Sequence, residues 1–598
     1  MAQVRNRHIL FSLTMLIISF FSIMTADAQQ NSPAADTIQQ DNVPWWKKAV
    51  FYQIYLRSFK DSNADGVGDI NGVIEKLDYL KNLGVDVIWI SPHYDSPLHD
   101  GGYDVADYRK ILKAFGNLSD FDRLIAELKK RDMHLMIDMV INHTSDQNAW
   151  FVASRSSKNN PYRDYYIWRE GKGDQPPNNY PSFMGGSAWQ KSAETDQYYL
   201  HYYGKQMPDL NWDNEKVRNE MAEIINFWLD KGVSGLRFDS LVTISKTQGL
   251  PDLNPQELKN FPMVYASGPN VHRYFSELKS KLKLPAQNVI AGEMFAVPLD
   301  QNPMYTDPAR NEANLAIIYD VIRFDRDAAD RWFSRPWTLS QLRKTITRVD
   351  QSTGEHGWNA FFLTNHDNQR EVSHYGSDKP QYRENSAKAL ATLQLTQRAS
   401  PFIYQGAELG MTNYPFKSLA DFHDIEDTGF IRDYVDSGKV DPALFFKHLS
   451  FSSRDNSRTP MQWDDTPQAG FTTATPWLAV NPNYPSINAK NQVNDDNSVY
   501  NYFRKLITIR RDTPALVTGT QQDLDPDNNE VLAYTRTLGS DKYLIIINFT
   551  EAAQQYALPQ DLSIEKTVVE NNGKAGADES RELTLNPWQS GVYKVKSR

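Results

Sequence analysis

Residues 85–91 read VDVIWIS, residues 121–131 read FDRLIAELKKR, and residues 134–142 read HLMIDMVIN. The first and last segments are short apolar runs, which are typical of strands buried in a parallel sheet. The middle segment repeats its apolar residues three and four positions apart from Phe121 to Leu128, the spacing of a helix packed on a sheet. The three segments together therefore predict a βα unit followed by a parallel strand.

The same alternation continues along the chain from Trp45 onward. We predict strands at 50–59, 85–91, 134–142, 233–239, 289–295, 315–322, 358–365 and 402–405. We predict helices at 73–83, 121–131, 215–231, 271–281, 339–349 and 386–398, with no clear fifth helix. Ser119 and Asp122 are the residues expected to cap the helix at 121–131. Eight βα steps predict the α/β class and a (β/α)₈ TIM barrel.

Two intervals are too long to be simple connections within a barrel. Residues 144–211 follow the third strand and are rich in Asn, Gly, Pro and Tyr, so we predict an inserted, loop-rich domain B there. Residues 408–494 form a second irregular insertion after the eighth strand. The catalytic barrel is then 45–143 and 212–515. Short strands predicted at 531–537, 542–548 and 590–596 indicate a C-terminal antiparallel β-sandwich domain at 516–598.

Composition excludes several classes of protein. The chain has 598 residues, of which 23% are charged and 40% hydrophobic, as in ordinary globular proteins rather than disordered or multi-span membrane chains. The formal net charge of −10 argues against a protein that binds nucleic-acid phosphates. There is no cysteine, which excludes disulfides, thiolate zinc sites, iron–sulfur clusters and a cysteine nucleophile.

The first 28 residues have the pattern of a secretory signal peptide. Arg5 and Arg7 precede an apolar run at 9–24, and Ala26 and Ala28 frame a small-x-small cleavage site. A membrane anchor is the alternative, but the apolar run is shorter than the roughly 20 residues that a spanning helix needs. We therefore expect a flexible leader at 29–44 and a mature bacterial protein that is periplasmic or secreted, without a membrane segment.

Carboxylates, histidines and an arginine stand where the predicted strands end. These residues are His143, Arg237, Asp239, Glu293, His366 and Asp367. The C-terminal ends of barrel strands meet at one mouth, where barrel enzymes carry their reacting groups. Three acids there suit cleavage of an acetal, which needs one acid to protonate the leaving oxygen and one carboxylate to trap the cationic carbon. Arg237 lies on the same strand face as Asp239 and is expected to keep it ionised by lowering its pKa.

The strings at those strand ends are DMVINH (138–143), GLRFD (235–239), GEMF (292–295) and NHD (365–367). They resemble the four ordered signature regions of glycoside hydrolase family 13, the α-amylase superfamily, and the likeness runs from Trp45 to the C-terminus. Further strings resemble the oligo-1,6-glucosidase and sucrose isomerase branch of that family: AVFYQIYLRSFKDSNADGVGDI (49–70), NNPYRDYY (159–166), ELGMTNYPF (408–416) and SRDNSRTPMQWD (453–464).

This resemblance implies a role for each matching residue. Asp239 is the expected nucleophile, Glu293 the acid/base and Asp367 the stabiliser of the transition state. The residues implied to hold the terminal glucosyl ring are Asp100, Tyr103, His143, Arg237, His366 and Arg454. No cofactor is implied for catalysis.

Within the branch, the chain is most similar to the sucrose isomerases, which make isomaltulose or trehalulose. That group carries a charged loop after the sixth strand, present here as RFDRD at 323–327 and followed by Arg331. The resemblance implies that Arg323, Arg326, Phe295 and Tyr319 contact the leaving fructose. Positions that depart from the isomerase pattern are Met184, Met207, Ser240, Tyr319, Thr364 and Gln369.

Two alternatives stay open at this point. The first is an exo-acting α-glucosidase that hydrolyses isomalto-oligosaccharides or sucrose. The second is a non-catalytic relative, such as the barrel subunit of an amino-acid transporter; the presence of all three acids and the lack of an anchor after the leader argue against it. A small sugar, sucrose, is the expected partner of a monomeric enzyme.

A short loop has the pattern D-x-N-x-D-G-x-x-D. The resemblance implies a structural Ca²⁺ or Mg²⁺ held by Asp61, Asn63, Asp65, the carbonyl of Val67, and Asp69. The twelfth position is glycine rather than glutamate, so the loop is not an EF-hand. An ordinary Asp/Gly turn is the alternative.

Overall fold

The computed structural model describes residues 43–266, 268–285, 287–326, 330–571 and 581–597. The predicted signal peptide, nearly all of the leader, and Asp327 of the charged loop lie outside the described residues. Within those ranges, none of the helices combines the length and the hydrophobicity that crossing a membrane requires.

Eight parallel strands close into a barrel, which confirms the predicted fold. They are β1 (Phe51–Ile54), β2 (Val87–Ile90), β3 (His134–Val140), β4 (Gly235–Asp239), β5 (Val289–Glu293), β6 (Leu315–Ile317), β7 (Asn359–Phe361) and β8 (Ser400–Tyr404). Each strand pairs with its neighbours in chain order, and β8 pairs with β1. In this register Arg237 lies beside Asp138 of β3 and Ala291 of β5, so the polar ends of three strands come together.

Helices cover the outside of the barrel between successive strands. The main ones are Ile70–Glu75 and Leu77–Leu83, then Leu118–Lys130, Glu215–Asp230, Val271–Ser280, Leu339–Gln351, Pro380–Leu395 and Val499–Asp512. After β5 the chain forms only the short helix Pro303–Thr306, flanked by 3₁₀ turns, which is why the sequence shows no fifth helical pattern.

The predicted cap of the third of these helices was wrong by two residues. The cap is Asn117, whose side chain accepts hydrogen bonds from the amides of Ser119 and Asp120. Asp120 in turn accepts from the Asn117 amide, completing a capping box. Asn117 and Asp120 have the same three-residue spacing as Ser119 and Asp122, so spacing alone did not separate the two pairs.

Three strands are less than half as long as the apolar pattern indicates. The run at 50–59 leaves the sheet after Ile54 and turns into a 3₁₀ helix at Leu56–Ser58. The run at 315–322 ends as a strand at Ile317, and the helix Asp320–Arg323 begins three residues later. The seventh strand is only Asn359–Phe361. The apolar residues beyond these strand ends are buried under loops, and burial by itself does not distinguish loop from strand.

The segment after β3 carries its own small sheet. It contains the helix Ala149–Ser156 and three antiparallel strands, Trp168–Arg169, Tyr198–Leu200 and Trp189–Lys191, with Tyr198–Leu200 in the centre. The segment after β8 contains the helices Ile425–Phe430, Pro442–Ser452 and Asp455–Arg458. Both segments lie over the C-terminal ends of the barrel strands and supply residues to the pocket there.

The C-terminal region is an antiparallel β-structure, as predicted. Its five-stranded sheet has the order Thr520–Asp523, Val531–Leu538, Asp541–Asn548, Ser590–Ser597 and Leu562–Glu570, and a two-stranded sheet pairs Gln554–Ala557 with Glu582–Leu585. Leu544 and Tyr556 belong to one apolar cluster between the two sheets. Four of these seven strands were not predicted, because they are short or carry little apolar alternation.

Candidate active site

A pocket of about 390 Å³ opens at the C-terminal end of the barrel. It contains every predicted catalytic residue and every predicted substrate residue except the fully buried Arg237, which lies directly behind it. Its lining includes Asp100, Tyr103, His143, Asp239, Glu293, Phe295, Tyr319, Arg323, Arg326, His366, Asp367 and Arg454. The barrel brings these side chains together from seven separate segments of the chain.

Arg237 is the centre of the charged network. Its Nη1 lies 2.7 Å from Oδ1 of Asp138 and 2.7 Å from Oδ1 of Asp239. Its Nη2 lies 2.9 Å from Oε1 of Glu293. One buried guanidinium therefore holds the predicted nucleophile and the predicted acid/base side by side.

Asp138 was not predicted as a site residue. It is fully buried on β3 and accepts hydrogen bonds from Arg237 and from the hydroxyl of Tyr103, the latter at 2.9 Å. Burial raises its pKa to about 6, against the lowering effect of Arg237. The only signal in the sequence was its place inside DMVINH, where every second residue of the strand faces the barrel axis.

The expectation that Arg237 lowers the pKa of Asp239 was wrong in net direction. Burial raises the pKa of Asp239 well above its ordinary value, and the negative charges of Glu293 and Asp138 raise it further. Arg237 opposes these effects but is shared among three carboxyl groups. One cation cannot offset both the loss of hydration and two neighbouring anions.

Glu293 is held at both carboxyl oxygens. Its Oε2 accepts a hydrogen bond of 2.7 Å from the amide of Ser240, and its Oε1 accepts one of 2.6 Å from the hydroxyl of Tyr319. Ser240 has a left-handed backbone with φ of 49°, which turns its amide toward Glu293. The hydroxyl of Ser240 forms a hydrogen bond of 2.6 Å with the hydroxyl of Tyr203. Sequence reasoning missed Tyr203, which lies in the inserted segment.

Asp367 is surrounded by cationic and polar groups. Oδ1 lies 3.2 Å from Nη1 of Arg454 and 3.3 Å from Nη2 of Arg458. Oδ2 lies 3.4 Å from Nε2 of His366. Burial alone raises the pKa of Asp367, but His366 and the two arginines hold it well below the ordinary aspartate value. Asp367 is therefore a carboxylate.

The closed end of the pocket is suited to one sugar ring. Arg454 Nη2 lies 2.9 Å from Asp100, and the ring of Tyr103 stacks on His366 with 5.2 Å between centroids. Nε2 of His143 lies 3.2 Å from the carbonyl of Tyr103. Burial lowers the pKa values of His143 and His366 to about 3, so both rings are neutral. The end offers neutral imidazoles, carboxylates and a guanidinium, the groups that bind hydroxyls.

Arg458 and Asp424 also belong to this network and were missed. Asp424 Oδ2 accepts from Arg454 at 2.8 Å and from Arg458 at 2.7 Å. Nε of Arg458 donates to the carbonyl of His366 at 2.9 Å. In SRDNSR the two arginines are four residues apart. This spacing places both side chains on one face of the short helix Asp455–Arg458, which Arg454 caps.

The open end of the pocket is lined by arginines and aromatic rings. Arg323 lies over the ring of Tyr319 at 4.3 Å, and the rings of Phe183 and Phe295 meet edge to face at 5.6 Å. Among the residues that the structure describes, the buried side chain of Arg326 lies 3.8 Å from Asp325 and has no hydrogen-bond partner at Nε or Nη2. Burial lowers its pKa to about 10.

Residues 53–519 match the family model of the α-amylase catalytic domain, and residues 531–592 match that of the α-amylase SusG C-terminal domain. The chain belongs to glycoside hydrolase family 13. Oligo-1,6-glucosidase of Parageobacillus thermoglucosidasius is 45% identical over 557 residues, which is 92% of this chain and 99% of that protein.

Solved structures of this family give a closer likeness. A mutant of isomaltulose synthase from Erwinia rhapontici NX5, in complex with its natural substrate sucrose, is 60% identical with a TM-score of 0.91, covering 93% of this chain and 100% of that one. Trehalulose synthase from Pseudomonas mesoacidophila MX-45 is 57% identical with the same TM-score, covering 93% and 100%. The chain is therefore a family 13 enzyme similar to both glucosidases and sucrose isomerases.

The residues that depart from the isomerase pattern fall into two places. Met184, Met207, Ser240 and Tyr319 line the pocket. Thr364 and Gln369 are buried, and the Thr364 hydroxyl donates to the Gln369 carbonyl at 2.7 Å. The first group can alter what the pocket holds, and the second supports the loop that carries Asp367.

The predicted cation loop is ordered by its own hydrogen bonds. Asp61 accepts from the amides of Asn63 at 2.9 Å and Gly66 at 2.9 Å, and Asp69 caps the helix Ile70–Glu75. Asp65 accepts from the amide of Val67 at 2.9 Å. The oxygen donors are of the type that Ca²⁺ takes. Across the part of the chain that the structure describes, however, no three acidic or histidine side chains converge as metal ligands do.

Proposed function

We propose that this family 13 enzyme converts sucrose to isomaltulose, trehalulose or both through a covalent glucosyl-enzyme, with side hydrolysis to glucose and fructose. The observation that carries the proposal is the two-part pocket. A closed end of carboxylates and neutral histidines suits a glucosyl ring, and an open end of arginines and aromatic rings suits a second sugar. A hydrolase needs the first part, whereas an isomerase needs both.

In the first step Asp239 attacks the anomeric carbon while Glu293 protonates the glycosidic oxygen, and the fructose leaves. Both carboxyl groups contact one guanidinium, that of Arg237. This arrangement supports the shorter separation of retaining enzymes, about 5–5.5 Å, rather than the wider gap that admits a water between the two. Asp367, kept ionised by its cationic neighbours, stabilises the positive charge that develops on the ring.

The glucosyl ring occupies the closed end in this account. Asp100, His143, His366 and Arg454 bind its hydroxyls, and Tyr103 provides an aromatic face for stacking. Asp100 accepts a hydrogen bond of 2.9 Å from Arg454, so each side chain fixes the position of the other. These contacts position the anomeric carbon over Asp239.

In the second step a different hydroxyl of the same fructose attacks the anomeric carbon and passes its proton to Glu293, and the bond to Asp239 breaks. This outcome requires that fructose stays while water is kept out. Arg323 and Arg326 are well suited to retain it, since two buried donor atoms of Arg326 at the open end have no partner within the part of the chain that the structure describes. The apolar rings of Phe183 and Phe295 exclude water around the acceptor.

An exo-acting α-glucosidase is the second candidate, and one specific observation favours it. Where the isomerase pattern has phenylalanine, this chain has Tyr319, which adds a hydroxyl at the wall of the acceptor site. The similarity to oligo-1,6-glucosidases at 45% identity supports the same candidate. Isomalto-oligosaccharides or sucrose would then be hydrolysed.

Incubation with sucrose separates the two candidates. We expect isomaltulose or trehalulose to dominate the early products when the sugars are resolved chromatographically. Exclusive release of glucose and fructose would reject the isomerase in favour of the glucosidase. Asp239→Asn is the control, since it keeps the pocket's shape and removes the nucleophile.

Three further properties are proposed with this function. The enzyme is exported to the periplasm or medium, where it meets sucrose outside the cytoplasm. It acts as a monomer. The loop Asp61–Asp69 holds a structural Ca²⁺ or Mg²⁺, which takes no part in the steps above.

A further inference from the structure

The hydroxyl of Tyr319 sits at the junction of the two halves of the pocket. It donates its proton to Glu293 at 2.6 Å and accepts from Nδ2 of Asn365 at 3.2 Å. Oδ2 of Asp367 lies 3.4 Å away. It is thus the one neutral hydroxyl, among the described pocket residues, that contacts both the acid/base and the stabiliser.

The ring of Tyr319 is fixed on two sides. Arg323 lies over one face at 4.3 Å, and Phe362 meets its edge at 5.9 Å between centroids. The residue is 3% exposed. A rigid ring holds the hydroxyl in one position, so the hydroxyl is a fixed polar point in a pocket that the apolar rings of Phe183 and Phe295 also line.

We propose that Tyr319 is a specificity-determining residue that gives water a hydrogen-bonding partner beside Glu293 in the glucosyl-enzyme, and so raises the share of that intermediate lost to hydrolysis. The proposal rests on the proposed function, because it concerns the choice between water and fructose as acceptor. A phenylalanine at this position would present only carbon to the same volume, and water there would lose a partner.

The chemistry of the two competing steps differs only in the acceptor. In hydrolysis the water oxygen bonds to the anomeric carbon, the ester bond to Asp239 breaks, and one water proton goes to Glu293. In isomerisation the oxygen of a fructose hydroxyl bonds to the anomeric carbon, the ester bond to Asp239 breaks, and the hydroxyl proton goes to Glu293. The Tyr319 proton is transferred in neither step. Burial raises the pKa of Tyr319 well above its ordinary value, so it stays a donor through both.

The test is Tyr319→Phe, with Tyr375→Phe as the matched control. Tyr375 is equally buried and donates one hydrogen bond of 3.0 Å to the carbonyl of Val321, outside the pocket. Both variants lose one buried hydroxyl, so their thermal unfolding temperatures report on any shared structural cost. Folded Tyr319→Phe is expected, because the ring keeps its packing.

The reaction is best followed with p-nitrophenyl α-glucoside and added fructose, which forms the glucosyl-enzyme without sucrose. We expect the ratio of glucosyl-fructose to free glucose to rise by a factor of about 2–10 in Tyr319→Phe, the range that one hydrogen bond sets. It should stay unchanged in Tyr375→Phe. Equal ratios in all three proteins would overturn the inference, whatever the enzyme makes from sucrose.

The product ratio is a readout that a purely structural role would not move, because a loss of folded or active enzyme lowers both products together and leaves their ratio unchanged. A parallel fall of glucosyl-fructose and glucose in Tyr319→Phe, with the wild-type ratio, would contradict the inference. With sucrose itself, absence of isomers from the wild type rejects the proposed function alone.

Discussion

Asp138 accepts a hydrogen bond of 2.7 Å from Nη1 of Arg237, the same nitrogen that contacts Asp239. The guanidinium is thereby fixed from behind the pocket, by a residue that does not line it. The buried pair of Asp138 and Arg237 therefore sets the relative position of the two reacting carboxylates. Asp138 is a positioning residue for both Asp239 and Glu293.

Replacing Asp138 tests that role. Asp138→Asn should lower kcat by about 10²-fold with a smaller change in KM, because Arg237 loses an anionic partner and no longer holds Asp239 and Glu293 in register. Steady-state kinetics on p-nitrophenyl α-glucoside measure the effect. Asp107→Asn is the control, since Asp107 is half-exposed, pairs with Lys110 and does not line the pocket. A variant of Asp138 with wild-type kcat would show that the pair is only structural.

The raised pKa of Asp239 has a consequence for activity. The nucleophile must be ionised, so kcat/KM should fall as the pH drops. The midpoint of that fall should lie above the ordinary aspartate pKa of about 3.9. Measuring kcat/KM between pH 3 and 9 locates the midpoint. A midpoint at or below the ordinary value would mean that Arg237 outweighs burial after all.

The same shift has a consequence for stability. A carboxyl group whose pKa is raised on folding stabilises the protein at low pH, and that contribution is lost as the pH rises above the unfolded value. Asp239→Asn removes a buried charge, so we expect its unfolding temperature to exceed the wild type's at pH 7 by about 1–3 °C. The difference should disappear near pH 4. A less stable variant at pH 7 would contradict the cost assigned to this buried carboxylate.

The buried guanidinium of Arg326 is predicted to retain the leaving sugar. Arg326→Met keeps most of the side chain's volume and removes its donors, so the fraction of sucrose released as glucose and fructose should rise about 3- to 10-fold. Arg123→Met, at an exposed arginine far from the pocket, is the control. An unchanged product fraction in Arg326→Met would remove this residue from the acceptor site.

The proposed cation can be tested by chelation. Treatment with EDTA should lower the unfolding temperature by several degrees if the loop at Asp61 binds an ion, and added Ca²⁺ should restore it. Asp65→Ala should abolish the dependence on Ca²⁺ while leaving the pocket intact. An unfolding temperature that is insensitive to EDTA would assign the loop's order to its own hydrogen bonds.

The barrel could be predicted because its signal is local and repeated. Each buried strand and each amphipathic helix can be read within about ten residues, and the acids stand at strand ends where the fold must place them. Asp239, Glu293 and Asp367 followed from that rule together with the family resemblance. Helix and strand limits were harder, since the apolar residues after Ile54 and Ile317 are buried in turns.

The missed residues are those whose partners are distant in the chain. Arg458 acts through contacts with His366 and Asp367, and Asp424 acts through Arg454 and Arg458. Tyr203 acts through Ser240 in a different segment. No local pattern records such pairings. The predicted direction of the Asp239 pKa shift was wrong for a related reason. The shift depends on three carboxyl groups that share Arg237, whereas the sequence shows only that Arg237 and Asp239 are close.

Fructose is proposed to stay in the pocket between the two steps. Incubation of the enzyme with unlabelled sucrose and an excess of ¹³C-labelled free fructose, followed by mass spectrometry of the products, shows whether it does. We expect isomaltulose or trehalulose to form early and to be mostly unlabelled. Formation of glucose and fructose alone, or of isomers carrying the label in proportion to free fructose, would contradict it.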